Sequence, residues 1–320
     1  MDRRQLARTS IYVSPVALGC WPIAGMTSLD VNESDSIKTI QAALDSGINF
    51  FDTAYCYGTD GESERLLGRV IGNRRREMII ASKGGIHWQG GDRRLDASPA
   101  RLQDECRGSL KRLRTNYLDL YYLHAPDGST PIEESATAFS ELIEQGLVRA
   151  VGVSNLSVAQ TKQFHTICPL SAVQPPYNML LRGIEKELVP WCQQEQISVI
   201  PYWPLMKGLL AGKLTRSHVF REGDGRQKYS AFQGTEWQKN HDLLDELRAI
   251  ADSAGKTVAQ LVVNWTIQQA GITSALCGAK RGYQIEETAE AMNWILTSNQ
   301  QTQIQAALES RGLPQAISAI

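Results

Sequence analysis

Short apolar runs separated by amphipathic stretches pace the chain from end to end. Strand-like runs fall near residues 16–20, 49–52, 78–83, 118–123, 149–153, 171–174, 197–201 and 273–277. Between them lie segments whose apolar positions recur at helical spacing: Ser36 to Ser46, Ser63 to Ile71, Ser98 to Leu113, Ile132 to Gln145, Val158 to Ile167, Ile184 to Glu195 and Val258 to Gln269, with Gln284 to Leu296 after the last strand. Such alternation over 320 residues predicts an α/β fold of the (β/α)8 TIM-barrel type rather than a doubly wound sheet. No GxGxxG follows any strand, so a Rossmann domain has no fingerprint here. No low-complexity tract or compositional break divides the chain, and 1–320 reads as a single domain.

One segment breaks the rhythm. Residues 206–236, after the seventh strand, are rich in Gly and carry Lys207, Lys213, Arg216, Arg221, Arg226 and Lys228. A connection this long in a compact domain is expected to be a lid or binding loop, here one folding over a bound cofactor; a solvated basic excursion is the alternative.

Three of the apolar runs end in an ionisable residue. Ile48 to Phe51 leads into Asp52 and, on the following loop, Tyr57; Met78 to Lys83 ends in Lys83; Leu118 to His124 ends in His124. Each gap fits one loop, one helix and one strand returning in the same direction, so Asp52, Tyr57, Lys83 and His124 are expected to meet at one rim of the barrel, the end that carries chemistry. Taken singly, Asp52 reads equally as a helix cap, Lys83 as a snorkelling surface lysine and His124 as an interior histidine. The repetition at one structural point, with a tyrosine added, favours a catalytic cluster. An acid, an ammonium, a phenol and an imidazole suit protonation of an alkoxide formed from a carbonyl: the ammonium is expected to lower the phenol pKa, and the imidazole to orient the carbonyl oxygen.

Composition narrows the partners. With 42% hydrophobic and 21% charged residues the chain is an ordinary globular one, and a net charge of −1 gives no reason to expect nucleic acid or a membrane surface. No stretch approaches a membrane span and the N-terminal MDRRQLARTS lacks an apolar core, which predicts a cytoplasmic protein. Six scattered cysteines (Cys20, Cys56, Cys106, Cys168, Cys192, Cys277) fit a reducing compartment, with a redox role for Cys56, beside Tyr57, left open. Five histidines without HxH or HExxH spacing give no metal site, which argues against a metal-dependent barrel hydrolase.

The motifs, taken in order, resemble the aldo-keto reductases. They are GCW at 19–21, FDTAYCYG at 51–58, GESERLLG at 61–68, ASK at 81–83, LHAPD at 123–127, GVSN at 152–155, VQPPYN at 173–178, PLMKGLLAGK at 204–213 and GAKRGYQIEE at 278–287. The similarity is greater to bacterial oxidoreductases and potassium-channel β-subunits than to the aldose-reductase branch. It implies a catalytic tetrad with Tyr57 as proton donor, Lys83 and Asp52 tuning it, and His124 orienting a small-molecule carbonyl substrate. It also implies NADPH as cofactor. Ser154, Asn155 and Gln174 match positions at the nicotinamide carboxamide, and Tyr202 the stacking aromatic. Pro204, Leu205, Met206 and Gly208 match the pyrophosphate turn, with Lys213 and Arg226 closing over it. Gly278, Lys280, Gln284, Glu287 and Thr288 match the 2′-phosphate and adenine pocket, with Lys280 and Arg281 supplying positive charge. Trp21 falls at the cofactor and, with Trp88, at the substrate pocket.

The chain departs from the pattern at three points. Trp203 stands in place of a small serine, Thr288 in place of an asparagine, and Ala125 follows His124 where the aldose-reductase branch has tryptophan. The resemblance leaves one other role, an NADPH-binding sensor or scaffold subunit with little turnover; the intact tetrad favours the enzyme. Substrate identity, reaction direction and oligomeric state are not encoded in readable form.

Overall fold

The computed structural model describes residues 2–25 and 30–315. Eight parallel strands make one sheet: β1 (Val16–Gly19), β2 (Phe50–Asp52), β3 (Ile79–Gly84), β4 (Leu120–Leu123), β5 (Val151–Ser154), β6 (Ala172–Gln174), β7 (Ser198–Val199) and β8 (Ala275–Gly278). Their order, β7-β6-β5-β4-β3-β2-β1-β8, follows the chain except that β8 lies beside β1. The sheet closes into a barrel through parallel bridges Val199 to Ile272 and Tyr202 to Leu276, with Leu276 N–H donating to Pro201 O at 2.9 Å. β7 is short because Pro201, having no N–H, cannot continue the ladder.

Among the described residues ten α-helices flank the sheet: α1 (Glu33–Asp45), α2 (Glu62–Ile71), α3 (Pro99–Leu113), α4 (Ile132–Glu144), α5 (Val158–Ile167), α6 (Leu188–Glu195), α7 (Gly234–Ser253), α8 (Val258–Gln268), α9 (Gly282–Ala289) and α10 (Ser298–Arg311). Starts are set by side chains that satisfy otherwise unpaired N–H groups: Asn32 caps α1, and Ser157, Thr257 and Thr297 each form a reciprocal capping box with a Gln. The expected helices at Ile184 to Glu195 and Gln284 to Leu296 are shorter than the apolar spacing suggests. The first begins as a 3-10 turn at Gly183–Glu185 before α6, and the second gives way to a 3-10 turn at Glu290–Asn293. α7 and α10 were not among the expected helices. They pack on each other, with buried Arg311 reaching Glu236 and donating to Asn240 Oδ1 at 2.8 Å.

Strand alternation divides the core into two layers. Val16, Leu18, Phe51, Ile80, Tyr121 and Val153 face outward to the helices. Ala17, Phe50, Ile79, Ala81, Leu120, Tyr122, Ala172 and Leu276 fill the barrel interior. A β-carbon on Gly152 would come 2.4 Å from the Tyr122 ring, so only glycine leaves room for that phenol inside. An N-terminal hairpin, Arg4–Gln5 against Tyr12–Val13, inserts Leu6, Ile11 and Val13 under the same layer and plugs the bottom. A second hairpin, Ile86–Gln89 against Asp92–Leu95, stands in the β3-to-α3 connection at the top.

Candidate active site

The inward phase that places Phe50 and Ala81 in the barrel also places Asp52 and Lys83 inside, at the upper ends of β2 and β3. Both are buried, Lys83 with 0% of its surface exposed. Backbone bonds then hold the loop after β2 against β3: Thr53 N–H donates to Ala81 O at 2.9 Å and Tyr55 N–H to Lys83 O at 3.0 Å. The loop turns at Ala54 and Tyr57 and brings the phenol back over Lys83.

All three ammonium protons of Lys83 are used. One goes to Asp52 Oδ1, one to Thr53 O at 2.8 Å and one to Tyr57 Oη at 3.2 Å. An ammonium has no lone pair, so Tyr57 Oη accepts from it and keeps its own hydrogen for another acceptor. Asp52 Oδ2 accepts from Gln174 Nε2 at 2.8 Å. Burial pushes the Asp52 carboxyl up, against the opposing pull of Lys83 and Gln174. Burial, joined by the Asp52 charge, raises the Tyr57 phenol well above its ordinary value. The expectation of a lowered phenol pKa is therefore corrected: Tyr57 is held as a neutral O–H, because desolvation and the nearby carboxylate both disfavour phenolate.

His124 follows β4 and is fixed by its own N–H donating to Gly84 O at 2.9 Å. Its ring lies edge-on to Tyr57, centroids 5.9 Å apart. Burial, then Lys83 and Arg93, hold the imidazole well below its usual pKa, so it is neutral. Cys56 Sγ lies 3.7 Å from His124 Nδ1, and burial pushes that thiol up to about 12, leaving an S–H. All six cysteines are free and buried.

Ser154, Asn155, Gln174 and Tyr202 also meet. Asn155, held at φ 61°, donates to His124 O at 2.8 Å and to Ser154 Oγ at 3.0 Å, and accepts from Tyr202 Oη at 2.9 Å; Ser154 Oγ donates to Gln174 O at 2.8 Å. One chain of bonds thus runs from Tyr202 through Asn155 to His124, Ser154 and Gln174, and so to Asp52.

Pro204, Leu205, Met206 and Gly208 form the turn after β7, where Met206, Lys207 and Gly208 all have positive φ. Trp203 is also left-handed, at φ 61°, and its ring lies edge-on to Tyr202 and 3.9 Å from Lys207 Nζ. The bulk expected at Trp203 is spent on this packing. Beyond the turn the segment winds through 3-10 turns at Gly225–Lys228 and Ser230–Phe232, and Arg221 reaches across to Asp30 Oδ2 at 2.8 Å, on the β1-to-α1 connection.

The cations expected at the far end of the cofactor site have mixed surroundings. Lys213 pairs with Glu287, and Arg226 is clamped by Asp224 at 2.7 Å. Burial and then Arg226 lower the Lys280 ammonium, as like charges held close together do. Arg281 donates to Asp30 O at 2.7 Å and lies 3.4 Å from Asp35, so less of its charge is on offer than expected. Gln284 Oε1 accepts from the N–H groups of Lys280 at 2.8 Å and Arg281 at 3.2 Å, opening α9. Thr288 is buried and its hydroxyl donates back to Gln284 O at 3.1 Å, a helix-internal bond that does not require a ligand. Gly278 ends β8 against Pro22. This concentration of positive charge around a left-handed turn and the start of a helix suits a phosphate-bearing cofactor.

Trp21 and Trp88 flank the phenol. The Trp21 ring is edge-on to Tyr57 with centroids 4.8 Å apart, and Trp88 Nε1 donates to Cys56 O at 3.0 Å. Two supports of the site were not among the expected site residues. Glu64, fully buried, accepts from Ser82 Oγ and from Arg112 Nε at 2.6 Å, and the Arg112 guanidinium lies 4.1 Å from the Tyr55 ring, bracing the Tyr57 loop from outside. Glu105 accepts from Gly85 N–H at 2.6 Å behind the second hairpin. The GESERLLG motif contains Glu64 and was a visible signal; Glu105 has none, since it sits on an amphipathic helix among exposed charges.

Among the described residues no group of three or more His, Cys, Asp or Glu is placed to hold a metal ion, and no helix is long and apolar enough to cross a membrane.

Residues 15–309 match the family model for the aldo/keto reductase family. The chain is 38% identical to aldo-keto reductase YhdN of Bacillus subtilis (strain 168), over 97% of this chain and 94% of that one. It is 32% identical to an NADH-specific methylglyoxal reductase of Escherichia coli (strain K12), over 97% and 99%. Among solved structures it superposes on the glycerol dehydrogenase AKR11B4 from Gluconobacter oxydans with TM-score 0.91 and 35% identity, covering 100% of this chain and 98% of the other. The aldo-keto reductase AKR11C1 from Bacillus halodurans gives TM-score 0.80 and 26% identity, with 96% of each chain covered. The barrel, the rim that carries the polar cluster and these similarities agree: the chain belongs to the aldo/keto reductase family of oxidoreductases.

Proposed function

We propose that this protein reduces aldehydes or ketones to alcohols with a nicotinamide cofactor, NADPH in preference to NADH, and that Tyr57 protonates the product oxygen. The observation that carries the reading is the buried bond from Lys83 Nζ to Tyr57 Oη, with Asp52 behind it. When bound, the cofactor supplies hydride to the carbonyl carbon. The residues of the chain deal with the charge that then forms on oxygen.

Tyr57, neutral and with its hydrogen turned away from Lys83, donates that hydrogen to the oxygen. The phenolate left behind is opposite Lys83, whose ammonium stabilises it at the moment it appears; the raised resting pKa keeps the proton in place until then. In the tautomer in which Nδ1 accepts the Cys56 S–H, the one hydrogen of the neutral imidazole resides on Nε2, where it would orient the carbonyl. Ser154, Asn155, Gln174 and Tyr202 would hold the nicotinamide end, the turn at 204–208 the pyrophosphate, and Lys280 with Arg226 the 2′-phosphate. NADPH preference rests on that last pair, while the similar Escherichia coli protein is NADH-specific, so the cofactor must be measured directly.

The test is consumption of NADPH and of NADH, in parallel, with aromatic aldehydes, dicarbonyls, ketones and sugars. Turnover that favours NADPH and vanishes in Tyr57→Phe is the expected result. Tight binding of NADPH without turnover of any of these would instead favour a sensor role.

A further inference from the structure

Arg93 carries a charge at the mouth of the site that the chemistry above does not use. In the second hairpin it is the cross-strand partner of Trp88, so the two side chains share a face. That face is the one Trp88 turns to Trp21, Cys56 and Tyr57. Arg93 Cζ lies 5.9 Å from the centre of the Trp21 ring, which packs edge-on against Tyr57. Its neighbour Arg94 lies on the opposite face and is paired with Asp92 at 3.6 Å. Among the described residues no carboxylate within ion-pair distance accompanies Arg93. Asp52, the acidic group at Tyr57, is locked to Lys83 and Gln174. Arg93 is exposed, and its guanidinium is near enough to lower the titration of Tyr57, Cys56 and His124 alike, which agrees with its place beside Trp21.

We propose that Arg93 makes the mouth of this site a carboxylate-binding subsite, so that the preferred substrates are aldehydes or ketones carrying an anionic group one ring or a short chain away from the carbonyl. The carbonyl is held by Tyr57 and His124, the connecting carbons lie against Trp21 and Trp88, and the planar guanidinium takes the carboxylate. The proposal rests on the carbonyl-reductase reading and adds a substrate class to it.

The test compares 4-formylbenzoate with its neutral methyl ester, two aldehydes of similar shape that differ in charge, the ester being the more electron-withdrawing, so that intrinsic reactivity works against the expected preference. Wild-type kcat/KM should favour the carboxylate by about tenfold, the effect of one hydrogen bond to a charged group, and the advantage should shrink as salt rises. Arg93→Gln should erase that preference by weakening apparent affinity for the carboxylate substrate, with its kcat little changed. Kinetics with the ester, and the apparent affinity for cofactor, should stay within about twofold, and Arg93→Lys should keep part of the preference. Turnover of both aldehydes without preference by the wild type would overturn the subsite alone. So would an Arg93→Gln variant that loses both substrates equally or binds cofactor more weakly. Failure of the wild type to turn over either aldehyde or any other carbonyl, with cofactor bound, would instead remove the parent reading.

Discussion

Gln174 Nε2 donates to Asp52 Oδ2 at 2.8 Å, joining β6 to β2 across the barrel mouth. Through this bond the residues proposed to hold the nicotinamide and those proposed to move the proton form one network. Gln174→Ala should leave the Asp52 oxygen short of a donor and cost about 1.5–3 kcal/mol of stability, seen in denaturant unfolding. The same variant should weaken cofactor binding in fluorescence titration. Loss of stability with unchanged cofactor affinity would confine Gln174 to a structural part.

Tyr57→Phe removes the only hydroxyl that Lys83 contacts among the described residues. Turnover should fall by about 10²–10⁴, the range of a lost general acid, while cofactor affinity stays near wild type. Stopped-flow measurement of the chemical step distinguishes this from slower product release, and a variant with full rate would remove Tyr57 from the mechanism.

Lys83 and Asp52 are an ion pair in the barrel interior, and removing one partner strands the other. Lys83→Met should destabilise by about 3–5 kcal/mol, and Lys83→Met with Asp52→Leu should recover much of that loss while remaining inactive. Thermal unfolding of the three proteins tests the pair; equal destabilisation by the single and double variants would show that Asp52 is not the cause.

Lys280→Ala should raise the NADPH dissociation constant far more than that of NADH, by at least about tenfold for a charge-assisted contact to phosphate. Isothermal titration with both cofactors gives the comparison, and equal losses would reassign the charge.

Glu105 gives the protein a pH-dependent liability. Burial raises its carboxyl to about 8, against the pull of Gly85 N–H, Arg101 and Arg112 and with the push of Asp96; His87 Nδ1 stands 3.7 Å away. A carboxyl held above its unfolded value binds a proton more tightly in the folded state. Stability is therefore greatest below about pH 4.5 as far as this group is concerned, declines as pH rises, and levels off above about 8. Glu105→Gln keeps the acceptor for Gly85 and should raise stability at about pH 8.5 by about 1–3 kcal/mol, flattening the pH profile of unfolding.

The barrel was legible because each strand repeats one rule, a short continuous apolar run ending in a turn, and because Asp52, Lys83 and His124 occupy the same place in three successive repeats. α7 and α10 were not, because their apolar faces cover only each other and the outside of the barrel: α7 carries Glu236, Lys239, Asp242, Asp245 and Glu246 among its leucines. The sign of the Tyr57 shift was also hidden. Sequence spacing brings Lys83 near the phenol, but does not show that the phenol is buried and that the Asp52 charge stands beside it, the two causes that raise it. Arg93 was missed for a similar reason: DRR reads as a solvated turn until the hairpin register turns its middle residue toward Trp21.

The second hairpin is an insertion between β3 and α3, held to the reactive loop by the indole of Trp88 at Cys56 O, and neither of its strands joins the barrel sheet. The residues proposed to recognise substrate and those proposed to move the proton thus lie in separate stretches of the sequence. Substitution at the exposed positions of residues 86–95 is therefore expected to alter the proposed substrate preference, while Ile86 and Trp88 keep the hairpin fixed on the network beneath.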